Sequence, residues 1–168
     1  IFQQKKVQKK ENNLFTITYI VTNWGKKENE KLFKIFIKIA SIKNIRLIIK
    51  LRPNPPSKML SLYKAWTESS KAKNVEIIYK EDINSVLAET DLVVTFHSGV
   101  PIEAMAYDVP SVLLDVFEYI DLKKLMGHYE DCLIVKKEEE FVELIKRIIE
   151  IPDYYDSLVN DKIFKNYY

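Results

Sequence analysis

The residue types best suited to binding chemistry stand close together at Ser98, Gly99 and Glu103, in a Ser-Gly-x-x-x-Glu segment. A glycine lets the backbone approach a ligand where the chain enters a helix, and the unpaired amides at a helix start favour an anion. Glu103 stands one turn later, where its carboxylate could accept hydrogen bonds from ligand hydroxyls. The segment therefore predicts a site for a phosphorylated, hydroxyl-bearing ligand, although an isolated segment of this kind is more often a helix cap with a solvated glutamate.

The position of the segment favours the ligand interpretation. It follows residues 92–96, an apolar run typical of a strand buried on both faces, and α/β folds bind ligands beyond the carboxyl ends of their strands. Arg52 could donate a pair of hydrogen bonds to a phosphate, and Lys26 or Lys50 could act as point charges, but basic residues at loop ends are often only solvated. The full set of expected binding residues is Asn23, Gly25, Lys26, Arg52, His97, Ser98, Gly99, Val100 and Glu103.

His97 is the one weak catalytic candidate, and the catalytic residues are otherwise unknown. A neutral imidazole just after a strand could act as a general base or donate to a phosphate, and it could equally cap the turn without touching a ligand. No second His, Cys or carboxylate stands near it at ligand spacing, so no metal site is predicted. Ser98 lacks the Gly-x-Ser-x-Gly context of a serine nucleophile, and both the P-loop and Gly-x-Gly-x-x-Gly patterns are missing.

Strand and helix patterns alternate along the chain and must position these residues. Short apolar or β-branched runs predict strands at 14–22, 45–51, 75–79, 92–96, 111–114 and 132–135. Residues 28–42, 59–66 and 141–148 have helical apolar spacing, Asp82 is a predicted N-cap, and 119–128 is a weaker helical segment. The pattern predicts a doubly wound, Rossmann-like α/β sheet of about six parallel strands with helices on both faces.

Composition fits one globular domain. The 168 residues are 47% hydrophobic and 30% charged, and a net charge of +2 gives no reason to expect a nucleic-acid partner. Cys132 is the only cysteine, which favours a reducing, cytoplasmic location, and no apolar run reaches the roughly 20 residues of a membrane span. Association with the inner face of a membrane stays open. We expect a linker at 1–13, the binding domain at 14–150 and a C-terminal helical tail at 151–168; because the first residue is Ile1, we expect a piece of a longer protein.

The run from Thr90 to Leu114 resembles the donor-binding segment of GT-B glycosyltransferases, above all those of bacterial capsule and surface-polysaccharide synthesis. The shared pattern is Ser-Gly, then Glu-Ala, then Pro and an apolar strand, and residues 47–53 are similar to the end of the family's second strand. The resemblance implies the C-terminal half of a GT-B enzyme, with a nucleotide diphosphate sugar as donor substrate and no other cofactor. Ser98 and Gly99 would then face the diphosphate and Glu103 the ribose, with residues 23–27 along the diphosphate or the interdomain cleft.

The same resemblance implies that an N-terminal acceptor domain of the longer chain supplies the general base, so these residues alone would be inactive. Thr95 stands where many retaining members carry a second glutamate, which disfavours that subgroup. Tyr107 and Asp108 replace the glycine usual before Pro110, although aspartate tolerates left-handed geometry.

Two alternatives remain. The chain is also similar to half of a non-hydrolysing UDP-N-acetylglucosamine epimerase, because the segment from Thr22 to Asn29 is like that family's Thr-x-His-Arg-Arg-Glu-Asn, one residue longer. The other alternative is a non-catalytic α/β module with a degenerate nucleotide-sugar fold. A receiver-like signalling domain is disfavoured because the first strand ends in Thr22 and Asn23 rather than in an acidic cluster.

Overall fold

The computed structural model describes residues 14–22, 25–96, 98–119 and 133–160, and strands and helices alternate through these ranges. The strands are β1 (Phe15–Ile20), β2 (Ile45–Lys50), β3 (Val75–Ile78), β4 (Leu92–Thr95), β5 (Ser111–Leu114) and β6 (Leu133–Val135). The helices are α1 (Lys26–Ala40), α2 (Ser57–Ser70), α3 (Ile83–Leu87), α4 (Val100–Met105), α5 (Glu138–Glu150) and α6 (Pro152–Asn160).

The six strands form a single parallel sheet in the order β3-β2-β1-β4-β5-β6. Ile20 lies in register with Lys50 of β2 on one side and with Thr95 of β4 on the other. The chain therefore leaves β1 in one direction to build β2 and β3, and returns to its other side to build β4, β5 and β6. The predicted doubly wound parallel sheet is confirmed, and its strand order reverses between β1 and β4.

Helices cover both faces of the sheet, because the strands present buried apolar side chains on both faces. On one face, the ring of Tyr19 stacks on Phe36 of α1 with ring centroids 4.1 Å apart, and Phe36 contacts Phe141 of α5. On the other face, a smaller cluster joins Ile20 and Val93 to Leu87 of α3 and Ala104 of α4. The thin α3–α4 layer lies beside the carboxyl ends of β1 and β4.

Predicted element boundaries differ from the observed ones by a few residues. Helix α1 starts at Lys26, two residues earlier than its apolar spacing suggests, and α2 runs well beyond its last apolar position at Trp66. The predicted N-cap at Asp82 is confirmed, because Asp82 Oδ2 accepts hydrogen bonds from the amides of Asn84 and Ser85. Of the weaker predicted helix 119–128, only Tyr119 is described, and it belongs to no helix; Cys132 lies outside the described residues.

The chain after α5 folds back onto the amino-terminal edge of the sheet. Helix α5 ends at Glu150 and Pro152 starts α6, so the proline marks the break between two helices. The Tyr155 hydroxyl donates to the backbone oxygen of Asp91 at 2.9 Å, and its ring meets Phe15 edge-on at 5.4 Å. This helix is anchored far from the carboxyl ends of the strands. Within the ranges that the structure describes, no helix has the length and apolar content needed to cross a membrane.

Candidate functional site

A cleft of about 660 Å³ opens at the carboxyl ends of β1 to β4. At this edge the chain leaves the neighbouring strands β1 and β4 in opposite directions, and open parallel sheets bind ligands in the crevice at such a reversal of strand order. The volume lies in the range of natural small-molecule sites. The cleft is lined by the strand ends and by the starts of α3 and α4: Ile20, Val21, Thr22, Lys50, Leu51, Arg52, Pro53, Lys80, Glu81, Asp82, Ile83, Ser98, Val100 and Glu103.

The cleft brings together part of the set expected from the sequence. Arg52, Ser98, Val100 and Glu103 line it, and Gly99 stands between two of these residues. Gly25 caps α1 and Lys26 begins it, and neither of them lines the cleft. The remaining two, Asn23 and His97, lie outside the described residues.

The turn into α4 is held by its own serine. Ser98 Oγ accepts a hydrogen bond from the Val100 amide at 3.2 Å, and the Gly99 oxygen accepts from Ile102 at 3.1 Å. Gly99 adopts an ordinary right-handed conformation with φ −72°, so the turn does not require a glycine for its backbone angles. A side chain at Gly99 would meet no described atom within 4 Å. What the glycine provides is open space in front of the turn.

The far end of α4 is fixed by Asp108. Asp108 has φ 55°, as expected for a residue that tolerates left-handed geometry. The Val109 amide donates to the oxygen of Ala104 and the Asp108 amide to that of Met105, the two hydrogen bonds of a Schellman helix end. Ala104 and Val109 share one buried cluster, which fixes the short helix against the sheet.

Lys50 and Thr22 line the cleft although the sequence assigned them no firm role. The Lys50 side chain is only 5% exposed, and its Nζ donates to the backbone oxygen of Leu51 at 3.0 Å. Burial lowers the pKa of Lys50, against the opposing effect of the Glu81 and Asp82 carboxylates. A usable signal was present, since alternation along β2 puts Lys50 on the same face as buried Ile48.

The acidic residues of the cleft divide into two groups. Glu81 Oε2 accepts hydrogen bonds from the amides of Tyr79 and Lys80, and such backbone hydrogen bonds lower its pKa. Asp82 is occupied as the N-cap of α3. The Glu103 side chain is exposed, and neither it nor the Arg52 side chain makes a hydrogen bond or ion pair with any described residue. Arg52 and Glu103 are therefore available to a ligand.

A second cavity, of about 650 Å³, lies on the outer surface between α1 and α2. Its floor includes Trp66 and Ile37, and four lysines of α1 line it, two of them paired with Glu30 and Glu138. It is not at the strand ends, so the cleft is the better candidate for ligand chemistry. Among the described residues, no three His, Cys, Asp or Glu side chains are grouped so that they could hold a metal ion.

Comparison of the sequence with family models and with curated proteins gives no match. Comparison of the fold with solved structures gives matches. UDP-GlcNAc 2-epimerase from Neisseria meningitidis, bound to UDP-GlcNAc, matches with a TM-score of 0.67 and 16% identity over 92% of this chain and 41% of its own. A point mutant of S. aureus TarM, in complex with fondaparinux, alpha-GlcNAc-glycerol and UDP, matches with a TM-score of 0.67 and 14% identity over 98% and 34%. Anabaena HepE, in complex with UDP and glucose, matches with a TM-score of 0.64 and 16% identity over 89% and 42%.

The chain shares its fold with these proteins. It spans about two-fifths of their length or less, so it corresponds to one part of each. The two strongest of these three matches, to the epimerase and to TarM, have equal TM-scores, so fold similarity alone does not choose between their activities.

Proposed function

We propose that this chain is the nucleotide-sugar donor-binding domain of a GT-B glycosyltransferase, acting in surface or capsular polysaccharide biosynthesis. The observation that carries the proposal is the cleft at the reversal of strand order between β1 and β4, which Ser98, Arg52 and Glu103 line together. Three proteins with the same fold were solved with UDP or a UDP-sugar, which supports a nucleotide diphosphate as the ligand class.

In this proposal different parts of the cleft bind different parts of the donor. The open space at Gly99 receives the diphosphate, and the carboxylate of Glu103, which has no partner among the described residues, accepts hydrogen bonds from the ribose hydroxyls. Arg52 adds a positive charge at the end of β2. The domain contributes orientation and stabilises the charge that develops on the departing diphosphate.

The acceptor site and the general base are assigned to an N-terminal domain of a longer chain, which is consistent with the two-fifths coverage of the matched structures. The 168 residues alone are then expected to bind donor without turning it over. Asn23, Gly25, Lys26 and His97 stay in the proposed set as residues that would border the diphosphate or the interdomain cleft.

A second candidate is half of a UDP-N-acetylglucosamine epimerase. It is favoured by the match to the Neisseria meningitidis enzyme and by the segment from Thr22 to Asn29. The cleft would serve both enzymes, because each must hold a nucleotide diphosphate sugar.

Calorimetric titration of the 168-residue chain with UDP, CDP and GDP, followed by UDP-sugars, tests the proposal. Binding of one diphosphate, without release of labelled sugar from the donor, is the expected result. Turnover of the donor by these residues alone would contradict the assignment of the general base to another domain. Interconversion of UDP-N-acetylglucosamine with its 2-epimer would favour the epimerase. Absence of binding by every nucleotide would identify a degenerate, non-catalytic module.

A further inference from the structure

The floor of the cleft contains a buried lysine with spare hydrogen-bond donors. An ammonium group carries three donors, and Lys50 Nζ uses one of them on the Leu51 oxygen. No other described group accepts from it. Lysine is almost never this buried unless its charge is paired, and Lys50, at 5% exposure, has two donors with no acceptor among the described residues.

Thr22 supplies a second unsatisfied group, two residues beyond the end of the neighbouring strand β1. Its Oγ1 is buried and has no hydrogen-bond partner among the described residues. Ile20 is in register with Lys50, and Thr22 follows Ile20 by two residues, which is the spacing of side chains on one face of a strand. Thr22 and Lys50 both line the cleft.

The nearby carboxylates do not complete the lysine's coordination. Glu81 Oε2 accepts from two backbone amides, and Asp82 Oδ2 accepts from two amides of α3. Neither forms an ion pair with Lys50 within the described part of the chain. The two carboxylates offset part of the lysine's charge from a distance and leave two of its donors without a described acceptor in the lining of the cleft.

We propose that Lys50 and Thr22 form the subsite for a carbonyl oxygen of the ligand's nucleobase, an inference that rests on the proposed function. Strand β1 separates β2 from β4, so Lys50 is two strand spacings, roughly 10 Å, from the Ser98 end of the cleft. Diphosphate at Gly99 and ribose at Glu103 fill the β4 end. The base is the part of the nucleotide left to occupy the β2 end.

This subsite discriminates between pyrimidines. Position 4 lies on the edge of a pyrimidine away from the ribose, so it is the position that faces the β2 end of the cleft. It carries a carbonyl oxygen in uracil and an amino group in cytosine. Lysine only donates hydrogen bonds, so at this edge it pairs with uracil and is mismatched with the amino group of cytosine, which also donates. The subsite therefore favours uridine ligands over cytidine ligands, independently of how many phosphates they carry.

The test is titration of wild type, Lys50→Met and Thr22→Val with uridine, UMP, UDP and their cytidine counterparts. Met keeps most of the length of the lysine side chain and Val the shape of threonine, so both variants are expected to fold. Lys50→Met should lose about tenfold in affinity for every uridine ligand, including the unphosphorylated nucleoside, and the uridine preference should fall towards unity. Thr22→Val should show a smaller loss of the same kind.

Lys73→Met is the matched control, because Lys73 is exposed at the opposite edge of the sheet and carries the same charge. It should bind like wild type. A loss confined to the phosphorylated ligands would overturn the base assignment in favour of a phosphate contact. Nucleotide binding by wild type that Lys50→Met reproduces unchanged would overturn the subsite and leave the proposed function standing. If wild type binds no nucleotide, both the subsite and the proposed function fail.

Discussion

The hydroxyl of Ser98 accepts a hydrogen bond from the backbone amide of Val100, so the first amide of α4 is already satisfied before any ligand arrives. The sequence suggested that this amide would be free for an anion. In the structure Ser98 holds the turn in shape, and a phosphate must either share the Val100 amide or bind through other groups in front of Gly99. The serine therefore positions the turn as well as lining the cleft.

Removing this hydrogen bond should loosen the turn. Ser98→Ala is expected to lower the free energy of unfolding by about 1 kcal/mol, as for other lost side-chain-to-backbone hydrogen bonds, and to weaken UDP binding. Ser98→Thr keeps the hydroxyl and serves as the control. Denaturant unfolding and calorimetry measure the two effects, and an alanine variant equal to wild type in both would contradict a positioning role.

Glu103 is the residue expected to distinguish ribose from other sugars. Glu103→Gln should weaken UDP binding by roughly tenfold, because it removes charged hydrogen bonds to the ribose hydroxyls. The same substitution should have little effect on 2′,3′-dideoxyuridine diphosphate, which lacks those hydroxyls. Glu68→Gln, an exposed position on α2, is the matched control. An equal loss for both ligands would argue against a ribose contact.

The buried charge of Lys50 should destabilise the fold at neutral pH. Burial lowers its pKa in the folded chain below the ordinary 10.5, so between that lowered value and 10.5 the unfolded chain binds more protons and stability rises with pH. Lys50→Met removes the buried charge and should raise the free energy of unfolding at pH 7 by about 1 kcal/mol. Its advantage should shrink as the pH rises through the lowered pKa. Denaturant unfolding across this range checks the prediction, and a less stable variant at pH 7 would refute it.

Asp108, which follows α4 in the left-handed backbone region, should limit which side chains this position tolerates. Asp108→Val should destabilise the fold by about 1 kcal/mol, since a β-branched side chain is strained at φ 55°. Asp108→Gly should be at least as stable as wild type, because glycine adopts this geometry freely. Asp108→Asn, the control, should change stability little. Thermal unfolding distinguishes these variants, and a stable valine variant would show that the corner relaxes.

The Tyr155 hydroxyl contributes a hydrogen bond to the docking of α6. Tyr155→Phe removes the donor to the Asp91 oxygen and should cost about 1 kcal/mol while keeping the ring contact with Phe15. Tyr154→Phe is the control, because the Tyr154 ring stacks on Arg147 and its hydroxyl has no described partner. Equal stability of the two variants in denaturant would show that the hydrogen bond contributes nothing.

Sequence periodicity was sufficient for the sheet but not for the floor of the cleft. Apolar runs such as 92–96 indicate strands buried on both faces, and Asp82 and Asp108 reveal their roles through side chains suited to an N-cap and a left-handed turn. Alternation along β2 puts Lys50 on the face of buried Ile48, but the depth of its burial depends on which strands flank β2 and on α3 above it, which no local pattern contains. The same holds for Ser98, whose hydroxyl could equally have faced a ligand or its own backbone.

The most direct measurement of the central claim is a titration of the ¹⁵N-labelled chain with UDP, following backbone amide shifts. The largest changes are expected on Thr22, Arg52 and residues 98–103, at the carboxyl ends of β1, β2 and β4. Shifts confined to the second cavity, between α1 and α2, with the strand-end amides unchanged, would contradict binding in the cleft.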